Sequence, residues 1–432
     1  MRSGILRWLA ILFAFALVAA ACGDSDDSDA TTEAGPTATE DDGVATPSGD
    51  PIVLGAVFAL SGASASTGLL ARQGAELAVE QINAAGGVLG RPLELAFEDS
   101  MGSAEEAIKG LRSHKSNGID LTWGFTTSSS CLAASPIADE LDMLMLSIYC
   151  QSNKLNHENF SENFFRMTTN VEMMIRALAI AIQQEEPGVV DWVSISPDYE
   201  YGHNTVDVFN NEMANEVPDY QMLDLTWPPY ASPTYSDYIT QLTDDASQGV
   251  FSTLFAGDML NMLKQQKPFG FLDDQILATA GMDIDVLEPM SASGDLPVLW
   301  DSLPYYAEAF DNPTNDAFIE AYTEMWGQTP TFYPHSGYVA VLTYAQAIEA
   351  AGSADIDAVH DALEGITVNT PMGPITIRAE DHQAIFESLA VIKVVPNAAG
   401  DSYEVETVVL IPGADVTSPP TPGVQNPFDV QR

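Results

Sequence analysis

From Ile52 onward the chain alternates short apolar runs with longer stretches in which apolar residues recur every three or four positions. IVLGAVFAL (52–60) reads as a strand and SGASASTG (61–68) as a loop. LLARQGAELAVEQINAA reads as a helix, with Leu70, Leu77, Ala78 and Ile82 near one face and Gly86-Gly87 as its stop. The pattern predicts further strands at PLELAFED, IDLTWG and MLMLSIY, and helices at AEEAIKGLRSHKSNG and CLAASPIADEL. It then starts again: helices at MMIRALAIAIQQE, TVDVFNNEMANEV and YSDYITQLTDDA, with strands at VVDWVSIS, YQMLDLTW, GVFSTLFAG and QILATAG. From Pro297 the pattern is less regular, although TNDAFIEAYTEMW and GYVAVLTYAQAIEAAG predict helices. Strands separated by helices imply right-handed crossovers and a parallel sheet covered on both faces. Two such runs predict two similar α/β lobes.

The N-terminal end changes the picture of where the protein works. Arg2 and Arg7 flank the start of an apolar run that stops at Cys22 and is followed by Gly23 and a string of Asp. A basic end, a short apolar core and small residues before the break predict a secretory signal over residues 1–22. LVAAAC resembles the lipobox of bacterial lipoproteins, which implies that Cys22 is lipidated, although Ala19 stands where the family prefers Leu. The alternative is an ordinary signal cut near Ala21. Residues 23–50 hold no Lys or Arg and almost nothing to bury, so they predict a disordered acidic tether. After the signal no apolar stretch approaches the roughly 20 residues a spanning helix needs. A net charge of -47 with only 15 Lys plus Arg repels phosphate backbones and excludes nucleic acid as a partner.

FALSGASASTG, the helix ending INAAGGVLGRPLEL, and EDSMGSAEEAI together resemble the branched-chain amino-acid-binding family of type I periplasmic binding proteins, the solute receptors of ABC importers. SPDYEYGHN and NTPMGPITI extend the resemblance, which runs from Pro51 to about Val395. It implies an α/β fold of two Rossmann-like lobes with parallel sheets joined by a three-strand hinge. Crossings near Asn170, Pro297 and Pro371 would divide the chain into lobe 1 (51–170 plus 297–370), lobe 2 (171–296 plus 371–412) and a tail (413–432). The implied protein is an extracytoplasmic monomer held to the membrane by its anchor. It would capture a small polar metabolite such as an amino acid, amide or urea-like compound, and hand it to ABC permease and ATPase subunits without any cofactor. A ligand sensor of the same fold that does not transport is the alternative.

Candidate chemistry concentrates in TTSSSCLAASP (126–136), where five consecutive hydroxyls occupy a strand-to-helix junction. Ligands of parallel α/β sheets sit at such junctions, and the helix N-terminus favours a carboxylate. The resemblance puts carboxylate binding on Ser128, with Ser129 beside it; the alternative is that these residues only cap the helix. At the next strand end the family has small residues and a Thr, whereas this chain has Tyr149 and Gln151. Both are candidate ligand contacts, and their size argues against a plain branched-chain amino acid. Tyr201 matches the family tyrosine that closes over the ligand. Asp283, with Asp258 as competitor, is the candidate acid for an ammonium group, and Thr67 faces the same cleft. Cys131 and Cys150 lie one in each ligand-bearing loop of an exported protein, which predicts a disulfide; the alternative is two buried thiols. Enzyme signatures fail: there is no G-x-S-x-G elbow, no H-E-x-x-H, no Walker loop and no metal-ligand spacing, His157-Glu158 lacking its second His.

Overall fold

The computed structural model describes residues 46–243, 246–282, 296–399 and 402–425. Cys22 and its signal segment, most of the tether, Asp283 and the end of the tail lie outside the described residues.

In the first lobe β1 (Ile52–Phe58), β2 (Leu93–Asp99), β3 (Leu121–Gly124), β4 (Leu144–Ser147) and β5 (Phe164–Arg166) form one sheet in the order β2-β1-β3-β4-β5. Every neighbouring pair is parallel. The crossovers carry α1 (Ala65–Ala84), α2 (Ala104–Ser116) and α3 (Ser128–Leu141). Helix α1 opens four residues before the expected Leu69, inside the supposed loop. Small residues stand there for close packing: a Cβ on Gly68 would lie 1.9 Å from the Ala59 carbonyl oxygen.

The second lobe starts with α4 (Val171–Glu185), capped by the Asn170 side chain accepting from the Met173 N–H. Strands β6 (Asp191–Ile195), β7 (Gln221–Thr226), β8 (Gly249–Phe251), β9 (Ile276–Ala280) and β10 (Leu299–Leu303) follow, all parallel, with α5 (Glu200–Glu216), α6 (Ser236–Thr243) and α7 (Ala256–Gln266) between them. The chain then returns to the first lobe through α8 (Pro313–Trp326), α9 (Phe332–Ala351) and α10 (Ile356–Leu363). Helix α9 lies against α1 so closely that a Cβ on Gly74 would meet the Pro334 carbonyl oxygen at 1.8 Å.

A small antiparallel sheet, β11 (Thr367–Thr370), β12 (Gly373–Ile377) and β13 (Ala384–Phe386), joins the first lobe where the Arg166 N–H donates to the His382 carbonyl at 3.0 Å. Strands β14 (Ser388–Pro396) and β15 (Tyr403–Pro412) finish the second sheet, whose order is β15-β14-β10-β9-β8-β6-β7. Both pair antiparallel, so that sheet is mixed at one edge.

Two crossings therefore sit later than expected. The chain leaves the second sheet after Leu303, not near Pro297, because residues 299–303 are clamped between β9 and β14. It re-enters at Ser388, not near Pro371, because residues 367–386 pair among themselves against the first lobe. A four-residue helix, α11 (Gly413–Val416), follows β15.

Candidate functional site

The hydroxyl run begins where β3 turns sharply. Gly124 takes φ +112, and Phe125 takes φ +65, an unusual conformation for a bulky residue, with its N–H bonded to the Val57 carbonyl at 2.6 Å. The five hydroxyls then divide their labour. Thr126 Oγ1 accepts from the Ala59 N–H at 2.8 Å and ties the junction to the end of β1. Thr127 is the N-cap of α3, its Oγ1 accepting from the Ser130 N–H at 3.1 Å. Ser130 is buried against that cap. Ser129 is half-buried and does not line the cleft. Ser128 does line it, and its Oγ accepts from the Ser152 N–H at 3.1 Å. With one lone pair so occupied, the hydroxyl keeps its proton and a second lone pair for another partner, beside first-turn N–H groups that have no partner within the helix.

The loop after β4 forms the neighbouring wall. Cys131 and Cys150 are joined by a disulfide with Cα atoms 6.2 Å apart, so the two loops that border the cleft are covalently linked. Tyr149 lines the cleft, its hydroxyl 3.4 Å from the carbonyls of Thr67 and Tyr333. Gln151 lines it too, with Nε2 directed at Thr169 Oγ1 and the Met174 sulfur. Thr67, in the first turn of α1, donates its hydroxyl to the Ser64 carbonyl at 2.8 Å. Arg166 carries no sequence signal of function, yet it is fully buried and donates Nη1 to the carbonyls of Cys150 and Ser152, on either side of Gln151. Burial depresses its pKa, and Asp381 opposes that shift.

The second lobe supplies the opposite wall. Tyr201, in the first turn of α5, donates its hydroxyl to the Ala280 carbonyl at 2.8 Å; burial, with Asp301 nearby, pushes its pKa up. Gly281 follows β9 with φ +75, and a Cβ there would lie 3.7 Å from Gln151 Oε1 and 3.8 Å from the Tyr201 hydroxyl. Asp258 is turned away: its carboxylate accepts from the Ala231 N–H at 2.8 Å and is not part of the cleft wall. Burial raises its pKa, opposed by that bond and by Tyr235.

Four aromatic residues that sequence reasoning missed also line the cleft: Tyr199, Phe255, Phe332 and Tyr333. Tyr199 and Phe255 are the N-caps of α5 and α7, and Phe332 and Tyr333 open α9. The strand-to-helix rule that singled out Ser128 would have found the first two had it been applied to every junction. The empty space between these walls, open mouth included, is about 430 Å³.

The lobes touch on either side of this space. The Ser64 and Tyr230 hydroxyls are 2.6 Å apart, and Glu200 accepts from Ser152 Oγ at 2.9 Å and Lys154 Nζ at 3.1 Å. Among the described residues no helix is long and apolar enough to cross a membrane.

Two α/β lobes, three connections between them and a cleft walled from both sides define a bilobal fold. The family model described as periplasmic binding protein matches residues 51–400, and the chain belongs to that family. A relative, the Leu/Ile/Val-binding protein homolog 4 of Brucella abortus, is 24% identical over 366 residues, covering 80% of this chain and 84% of its own. The crystal structure of an amino acid ABC transporter substrate-binding protein from Pseudomonas fluorescens superposes with TM-score 0.74 at 23% identity, covering 84% of this chain and 96% of that one. A solute-binding protein of an ABC transporter from R. palustris, in complex with benzoate, gives 0.76 at 17%, covering 87% and 100%.

Proposed function

We propose that this protein is an extracytoplasmic solute-binding lipoprotein of an ABC importer, anchored through Cys22 and tethered by residues 23–50. It acts as a monomer, captures a small amino-acid-like or amide ligand between closing lobes, and presents the closed form to the permease. The observation that carries this reading is the cleft itself: Ser128 and Gln151 from one lobe and Tyr201 and Gly281 from the other border a single space. The Leu/Ile/Val of the Brucella relative's name and the benzoate of the R. palustris structure share a carboxylate. Such a group suits the Ser128 hydroxyl and the N-terminus of α3, where the helix dipole favours negative charge.

A ligand that contacts both lobes stabilises the closed form by the difference between its contacts in the two states. A thermal-shift screen of amino acids, amides and small carboxylates should therefore yield a hit, and that hit should shrink the radius of gyration in solution scattering. At 100 times its dissociation constant a ligand stabilises the native state by about 2.7 kcal/mol. Ser128→Ala should weaken the hit roughly tenfold, and Tyr201→Ala by at least as much, since each leaves a buried polar partner unpaired at about 1–3 kcal/mol. A flat screen with superimposable scattering curves would falsify the receptor reading.

A further inference from the structure

Away from the cleft, two imidazoles and a carboxylate from distant parts of the chain converge where the small antiparallel sheet meets the first lobe. One ring nitrogen each of His360 and His382 and a carboxylate oxygen of Glu162 lie within 4.8 Å of one another. His360 sits in α10, His382 in the turn between β12 and β13, and Glu162 shortly before β5. Glu364, just past α10, adds a second carboxylate, its Oε1 3.3 Å from His382 Nε2. Nothing about this cluster depends on the receptor reading above.

The rings are held in place by their neighbours. His382 is buried, stacked on Phe165 at 4.0 Å between centroids and flanked by Phe160 at 5.2 Å. Phe165 also meets His360 edge-on at 5.3 Å. Every ring nitrogen faces an acceptor. Nδ1 of His382 is 3.1 Å from the Phe164 carbonyl oxygen, and its Nε2 faces Glu364. Nε2 of His360 is 3.0 Å from the Glu162 carbonyl oxygen, and its Nδ1, more distantly, is 3.7 Å from the Asp361 carboxylate. A neutral imidazole donates from one nitrogen only, so each ring sets one lone pair against another. That shortfall is a place for positive charge.

A second proton on His382 would satisfy Glu364 alone and give His360 and Glu162 no reason to approach the same point. A divalent cation is shared by all of them. We propose that a zinc ion binds here, held by one nitrogen each of His360 and His382 and by the Glu162 carboxylate, with the Glu364 carboxylate completing the site beside His382. Imidazole nitrogens combined with carboxylate oxygens suit zinc, whereas magnesium and calcium take oxygens. Ligands at zinc distances stand about 3.4 Å apart around a tetrahedral ion. The exposed Glu162 and half-buried His360 therefore draw in on His382, which its stacked neighbours keep still. The ion staples α10 and the start of β5 to the small sheet, and so fixes the segment through which the chain returns to the second lobe at β14.

The test is calorimetry and thermal unfolding of the full chain in detergent, without a polyhistidine tag and stripped of metal by chelator, titrated with zinc chloride and, as control, magnesium chloride. Zinc should fill a single saturable site and raise the unfolding temperature, since it binds the native state alone; magnesium should do neither. His360→Gln and Glu162→Gln alter positions with solvent access and should leave the metal-free unfolding temperature unchanged. Each should weaken zinc roughly tenfold or more, at least the loss that removing an outer partner of a metal site brings. Zinc bound equally well by the parent and both variants would put the metal elsewhere on this acidic chain and overturn the proposal. Zinc that leaves the parent's unfolding temperature where it was overturns it too, with His382 and Glu364 then joined by a proton.

Discussion

Ser128 and Gln151 show how a side chain's existing hydrogen bonds decide what it can offer a guest. Both follow strand ends, yet Ser128 keeps its proton after accepting from the Ser152 N–H, while Gln151 keeps its carbonyl oxygen because its Nε2 is directed at Met174. His335 illustrates the cost of burying a group with no such partner. Neither ring nitrogen has a hydrogen-bond partner, the ring stacks on Tyr305 at 4.2 Å, and burial pushes its pKa from 6.5 down to about 3. Between those two values the unfolded chain binds the proton and the native state does not. The associated stability is therefore fully present above about pH 6.5 and falls as the pH drops toward 3. Lowering the pH from 7 to 5 should cost about 2 kcal/mol through this residue alone. His335→Phe keeps a ring against Tyr305 and should remove that increment, read as the difference between the two proteins' urea-unfolding free energies at each pH. An unchanged pH slope would show that His335 titrates normally.

At the scale of elements, the two loops that follow β3 and β4 act as one unit. The disulfide fixes their separation, the Ser128 hydroxyl accepts from the second loop, and Arg166 holds that loop from beneath. Replacing both cysteines, Cys131→Ala with Cys150→Ala, removes the cross-link over a sequence separation of 19. The loss should be about 3 kcal/mol on the loop-entropy account, measured by chemical denaturation. The expected functional signature is a weaker ligand affinity at a temperature where the variant is fully folded, because the loops must then be ordered by the ligand itself. Binding unchanged at that temperature would mean that Arg166 alone suffices to place Gln151.

For the whole molecule, the question is what sets the balance between open and shut lobes. Glu200 on the second lobe binds Ser152 and Lys154 on the first, while Tyr230 meets Ser64 at the other lip. These contacts are polar and lie at the rims, so each contributes modestly. Glu200→Gln keeps the shape but discards the ion pair with Lys154. It should shift the ligand-free population toward the open form and weaken apparent affinity several-fold, with little change in unfolding temperature. Scattering of the ligand-free variant should give a larger radius of gyration than the parent; an equal radius would place the closing contacts elsewhere.

The alternation of apolar runs with amphipathic stretches was enough to establish two parallel α/β lobes, because hydrophobic periodicity is a local property of the chain. The family resemblance, together with the strand-to-helix rule, pointed to Ser128, Tyr149, Gln151, Tyr201 and Thr67, all of which line the cleft, and the exported setting with one cysteine in each loop paired Cys131 with Cys150. It misplaced two hinge crossings, since whether residues 299–303 or 367–386 join one sheet or another depends on which strand edges are free, and those edges belong to distant segments. Only the tertiary structure turned Asp258 toward Ala231, set Arg166 beneath Gln151 and gathered Phe255, Phe332 and Tyr333 around one space. Such contacts join residues on different elements, 27 positions apart for Asp258 and Ala231 and 16 for Arg166 and Cys150, and no local pattern records them.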